Sequence, residues 1–257
     1  VLLAMLSLQK HNKIKINGSV YAYDINKTLI GVYKNIQSNK DALFKHIQQF
    51  KNEYHGLKGT VVNRKPKNIT EAKTSKESYY YWLRSKFNTM DKDTIEYSAL
   101  FIFLNKTCFR GVYREGPNGF NVPYGHYKKT PTIITEAELN TISDLIKDVN
   151  FVCLDFKESI RTVGEGDFVY LDPPYAPETS KSFVGYTAEG FTLETHAELF
   201  SEIKKIADKN IKFAMSNAKV ELVTSNFADY ECEEIEARRA INSKKPESKT
   251  MEVIIYN

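Results

Sequence analysis

The apolar positions of the chain follow two rhythms. Up to about residue 135 they recur mostly at helical spacing, and beyond it short β-prone runs alternate with helical stretches. Leu2, Leu3, Leu6 and Leu8 predict a helix over residues 1–10, and Val20-Tyr21-Ala22-Tyr23 predicts a short strand ending at Asp24. Asn26 is placed to cap a helix running to Gln37, and Asp41 opens another to about Tyr54. Residues 55–75 are rich in Gly, Lys, Asn and Thr and read as loop. Two more helices follow, over Lys76–Phe87 and Tyr97–Phe109. Gly116-Pro117-Asn118-Gly119 is turn chemistry between two β-prone arms, so residues 110–128 predict a β-hairpin.

After Thr135 the reading is helix 136–149, strand 151–154, helix 158–163 and strand 168–171. Helix 193–209, strand 212–215, helix 219–226 and strand 251–256 complete it. Such alternation places the fold in the α/β class, with a doubly wound sheet. The organisation expected is a core built from residues 1–40 and 135–257, interrupted by a mainly helical insert, 41–134, that carries the hairpin.

Composition removes several alternatives. Hydrophobic residues make up 42% and charged residues 26% of the 257 positions, a globular balance that excludes wholesale disorder. No apolar run approaches the roughly 20 residues of a membrane span. The opening VLLAMLSL lacks the basic lead-in and cleavage site of a secretion signal. Cys108, Cys153 and Cys232 are isolated and the five histidines scattered, which indicates neither a disulfide framework nor a metal site. A reducing, cytoplasmic compartment is the simplest expectation. Charge sharpens the picture: residues 51–130 hold 15 Lys and Arg against 7 Asp and Glu, while the flanks are slightly acidic. A basic block on a near-neutral body is the footprint of a polyanion binder, and also of a plain solvated surface.

The chemistry concentrates where a strand ends in a carboxylate, because α/β sheets bind ligands at the carboxyl ends of their strands. Asp24, Asp155 and Asp172 qualify, and Asp172 opens Asp172-Pro173-Pro174-Tyr175. Two prolines fix the backbone and remove two N–H donors, leaving rigid carbonyl acceptors. A carboxylate and such a carbonyl can together accept both hydrogens of an aromatic amine, drawing its nitrogen toward tetrahedral and freeing the lone pair. Tyr175 adds a face on which an extruded base can stack.

With that motif stand RGVYR at 110–114, FNVPYGHYK at 120–128, SFVGYTAEGF at 182–191 and FAMSN at 213–217, in this order. In these the chain resembles, over essentially its whole length, the Dam family of DNA adenine methyltransferases, and among them the DpnII/MboI-type GATC modification enzymes. The resemblance implies S-adenosylmethionine as methyl donor and the adenine 6-amino group in double-stranded DNA as acceptor, with no metal. It makes Asp172, Pro173, Pro174 and Tyr175 the catalytic tetrad, with Asp172 also near the cofactor. It assigns Asp24 to the cofactor ribose and Asp155 and Phe156 to its adenine. On the hairpin it makes Arg114 the reader of a guanine and Val112 and Pro123 apolar base contacts. Tyr124 belongs to the same DNA-binding stretch, and Arg110, Lys128 and Lys129 are phosphate contacts. Residues 176–190 form a loop expected to close on the flipped base, with Lys181 and Tyr186 as candidate contacts. A monomer, and a cognate restriction endonuclease as partner, complete the expectation.

One departure matters. The family's Gly-rich cofactor loop and the strand before it are not found, and the chain opens at Val1 on the helix that would follow them. The expectation is an N-terminally truncated chain that binds S-adenosylmethionine poorly by itself. Two classes stay open: an adenine methyltransferase, and a DNA-binding relative without catalysis.

Overall fold

A computed structural model describes residues 1–177, 190–238 and 249–257. The chain divides into two compact units, Val1–Leu154 and Asp155–Asn257.

The first unit contains α1 (Leu2–Lys10), β1 (Val20–Asp24), α2 (Lys27–Ser38), α3 (Lys40–Gly56), α4 (Ile69–Ala72), α5 (Lys76–Thr89) and α6 (Ile95–Thr107). A two-rung hairpin of β2 (Glu115–Gly116) and β3 (Gly119–Phe120) follows, then α7 (Glu136–Ile146) and β4 (Val149–Cys153). β1 and β4 pair in parallel, Asp24 opposite Cys153. Asn26 caps α2 as expected, its side chain accepting the Leu29 N–H at 3.1 Å. Gln37 ties α2 to the start of β4 by donating to the carbonyls of Ile146 and Val149 at 2.7 and 2.8 Å.

A single apolar core joins α2, β1 and β4 to the helices of segment 41–134. Fully buried Phe103 is its hub, meeting Phe50, Tyr54 and Tyr79 edge-on with centroids 5.4–6.3 Å apart. Such pairs favour the ring edge against a neighbouring face. Loop 55–75 departs from expectation by containing α4, which is nucleated by the Asn68 side chain accepting the Glu71 N–H at 3.0 Å.

The second unit holds α8 (Phe156–Ile160), β5 (Phe168–Leu171), α9 (Leu193–Ala207), β6 (Lys212–Ala218), α10 (Glu221–Asn226), β7 (Glu231–Arg238) and β8 (Lys249–Tyr256). Its sheet has the order β5-β6-β8-β7. β5 and β6 are parallel, and β8 runs antiparallel to both β6 and β7. α9 buries a stripe of His196, Leu199, Phe200, Ile203 and Ile206, at helical spacing. The parallel pairs β1–β4 and β5–β6 are what strand–helix alternation calls for.

β7 is an addition to the expected elements. Glu231, Glu233, Glu234 and Glu236 mask any period-2 apolar pattern, and the strand forms through its eight-residue pairing with β8. Charge on an edge strand also discourages further pairing. Among the described residues no helix is long and apolar enough to cross a membrane.

Candidate active site

β5 delivers the Asp-Pro-Pro-Tyr segment. Leu171 is buried and lies opposite Met215 in the parallel register, so the chain leaves the sheet at Asp172 beside Ser216. Ser216, itself buried, donates its hydroxyl to Asp172 Oδ1 at 2.6 Å. A hydroxyl bond to a carboxylate is short and about twice as strong as a neutral one. The Asp172 carboxylate itself is exposed. Pro174 and Ala176 are held from within. His196 Nε2 lies 3.0 Å from the Pro174 carbonyl, and the side chain of fully buried Asn217 accepts the Ala176 N–H at 2.8 Å.

Tyr175 is half-buried and donates its hydroxyl to Glu252 on β8 at 3.2 Å. Burial pushes its phenol up to about 12, a Ser216 hydrogen bond opposes this, and the Glu252 and Asp172 charges reinforce it. The ring is therefore a neutral aromatic at any physiological pH. Ser216 and Asn217 fall in the FAMSN motif noted in the sequence, which gave them no role. His196 carried one usable signal, a polar residue on an otherwise apolar helical stripe, and Glu252 carried none.

The other candidate cofactor residues sit at strand ends as expected. Asp24 closes β1 and accepts the Asn26 N–H at 2.7 Å. Burial raises its carboxyl above the ordinary range, opposed by that bond. Asp155 caps α8, accepting the Lys157 N–H at 2.8 Å. Phe156 packs against the second core, 6.0 Å from the Phe191 ring. Asp172, Asp155 and Phe156 belong to the second unit and Asp24 to the first.

The hairpin is gripped by α5. Asn88 brackets Phe120, donating to its carbonyl and accepting its N–H, both at 2.9 Å. Arg84 donates to the carbonyls of Asn121 and Val122, and the buried Tyr80 hydroxyl donates to Val122 at 2.7 Å. At its open end, opposite Asn121, Arg114 is exposed, its Nε donating to Asn121 Oδ1 at 2.7 Å. Pro123, Lys128 and Lys129 are exposed as well. Val112 and Tyr124 are half-buried against the core, and the Tyr124 hydroxyl is bonded to that of Tyr54 at 2.6 Å. Arg110 sits at φ 57° and Gly111 at φ 66°, a left-handed pair that turns the chain from α6 into the hairpin. Lys181 and Tyr186 lie outside the described residues.

Residues 8–241 match the family model of the D12 class N6 adenine-specific DNA methyltransferases. The chain belongs to this family. Among curated relatives it is 32% identical over 241 residues to the Type II methyltransferase M.MjaIII of Methanocaldococcus jannaschii, covering 91% of this chain and 78% of that one. It is 29% identical over 234 residues to the Retron Ec67 DNA adenine methylase of Escherichia coli, covering 90% and 73%. With the DNA adenine methylase of Escherichia coli K12 it shares 31% identity over 166 residues, covering 64% and 59%. The family is enzymatic, so the arrangement around Asp172 belongs to an adenine-specific DNA methyltransferase.

Proposed function

We propose that the protein transfers a methyl group from S-adenosylmethionine to the 6-amino group of an adenine extruded from duplex DNA, within GATC. The observation that carries this is the posture of Asp172. It is exposed at the end of a strand, with one oxygen taken by Ser216 and the following prolines rigid. Asp172 Oδ2 and the Pro173 carbonyl then accept the two amine hydrogens, and the neutral Tyr175 ring stacks on the base. Holding both hydrogens in fixed acceptors aligns the nitrogen lone pair before reaction, which is the larger part of such catalysis.

Taken one by one, the candidate residues have chemistry that suits the cofactor. Asp24 is a partly buried carboxylate at a strand end, where a ribose diol is normally received, and Phe156 offers a partly buried aromatic beside the Asp155 cap. Bound S-adenosylmethionine supplies the methyl as a sulfonium electrophile. Segment 41–134 serves target recognition in this reading. Arg114, steadied by Asn121, pairs with guanine O6 and N7, and Pro123 meets a base edge. Val112 and Tyr124 support the hairpin from beneath, while Arg110, Lys128 and Lys129 meet phosphates.

The test is tritiated methyl transfer by this protein to duplexes containing GATC or GTTC, identifying the methylated base by mass spectrometry. N6-methyladenine in the GATC duplex alone is expected. Duplex binding without transfer overturns the catalytic reading, and equal transfer to both duplexes overturns the site assignment.

A further inference from the structure

His196 is fully buried and lies in the first turn of α9, yet it belongs to neither the catalytic tetrad nor the candidate cofactor residues. Its ring bridges two carbonyls: Nδ1 is 2.8 Å from Thr192 O and Nε2 is 3.0 Å from Pro174 O. A carbonyl only accepts, and a neutral imidazole donates from one nitrogen alone. Thr192 O already receives the His196 backbone N–H at 3.0 Å, as the first bond of the helix. Pro174 O receives no other hydrogen bond from the described residues. The tautomer with its proton on Nε2 gives Pro174 O a donor. The ring plane is fixed by Phe191, edge-on at 4.6 Å and 89°, and by Phe200 at 6.0 Å.

We propose that His196 is a positioning residue, which holds the Pro174 carbonyl inward and so decides which acceptors of the tetrad face the target amine. The proposal rests on the methyl-transfer reading above. Pro173 and Pro174 each present a carbonyl, and their φ angles are locked by the rings. What remains free is the tilt of the peptide planes. His196 sets the plane between Pro174 and Tyr175 from one side, and Asn217 sets Ala176 from the other through its 2.8 Å bond. With Pro174 O committed to the interior, Asp172 and Pro173 O are left as the acceptor pair, and the Tyr175 ring starts from a fixed Cα. Without the Nε2–H, Pro174 O loses its bonded partner in a dry environment, and the plane is free to turn its carbonyl toward water and the substrate.

Two measurements on the full-length protein test this. Long-range 1H–15N correlation of the histidine rings, with His196 assigned from the signal missing in His196→Gln, is expected to show a proton on Nε2. An Nε2 without a proton overturns the clamp whatever the enzyme does. In steady-state methylation, His196→Leu is expected to lower kcat about tenfold with duplex KM held within about twofold, the loss of one buried hydrogen bond. His196→Gln keeps an N–H donor of similar reach and is expected to restore kcat to within about twofold. Equal losses in the two variants, or an unchanged kcat in His196→Leu, overturn the positioning role. Should His196→Leu not fold, the ring spectrum and the Gln variant still decide. A wild-type protein that methylates nothing sinks the underlying function instead, and leaves the ring measurement to judge the clamp.

Discussion

Residues 172–176 are held from below by buried side chains of the elements they rest on: Ser216 and Asn217 of β6 and His196 of α9. Residues 113–122 are anchored by the buried Phe120 and Val122 and by Tyr80, Arg84 and Asn88 of α5, whereas the proposed reading residue, Arg114, is exposed and has a side-chain bond to Asn121. The first region fixes acceptors to within a hydrogen bond's tolerance. The second fixes a backbone and leaves a long cation to find its partner. Reaction chemistry tolerates little displacement, because an amine misplaced by an ångström loses its alignment. Reading a base edge depends on reach and on a matching donor fork, which an exposed guanidinium supplies.

The sharpest break of this contrast is Asp172→Ala. Methyl transfer is expected to fall on the order of 100- to 1000-fold, with duplex affinity unchanged in a filter-binding assay. Arg114→Ala comes next. Discrimination at one base pair is expected to fall about 5- to 150-fold, measured as kcat/KM on duplexes altered at each position of the site. A uniform loss on every duplex instead makes Arg114 a phosphate contact.

Ser216→Ala tests the buried support of the first region. It is expected to lower kcat about tenfold, since it removes a hydroxyl bond to a carboxylate while Asp172 stays solvated. Asp24→Asn separates binding from stability. Burial raises the Asp24 carboxyl, so the folded protein binds its proton more tightly than the unfolded chain does. Folding stability then falls as pH rises from the ordinary carboxylate value through the raised one, and at pH 7 the charge is a cost. The Asn variant is therefore expected to melt about 2 °C higher or less at pH 7 by calorimetry, with the gain vanishing toward pH 4. Its S-adenosylmethionine affinity, by isothermal titration, is expected to fall in the same protein. The smallest effect belongs to Lys128→Ala, a few-fold loss of affinity on all duplexes and a salt dependence shallower by about one phosphate.

Much of this was legible in the sequence. Phe168–Leu171 announced a strand that delivers Asp172-Pro173-Pro174-Tyr175 at its end, and the turn residues at 116–119 announced the hairpin. What escaped is what depends on register. Ser216 meets Asp172 because β5 pairs with β6 so that Leu171 faces Met215, and no local pattern specifies that offset. Glu252 reaches Tyr175 from a strand 77 residues away. β7 was hidden because its glutamates obey the needs of an edge, not of a core. The tyrosines at 79–81 are buried, and of these Tyr80 supports the hairpin through its bond to the Val122 carbonyl.

The grip of α5 on the hairpin has an evolutionary consequence. Tyr80, Arg84 and Asn88 direct these hydrogen bonds to main-chain atoms of residues 120–122, and main-chain atoms are the same in every sequence. The exposed side chains of the hairpin can therefore be exchanged, by drift or by a protein engineer, without loosening the mount. A hairpin fastened through its backbone is a fixed mount whose exposed side chains are interchangeable.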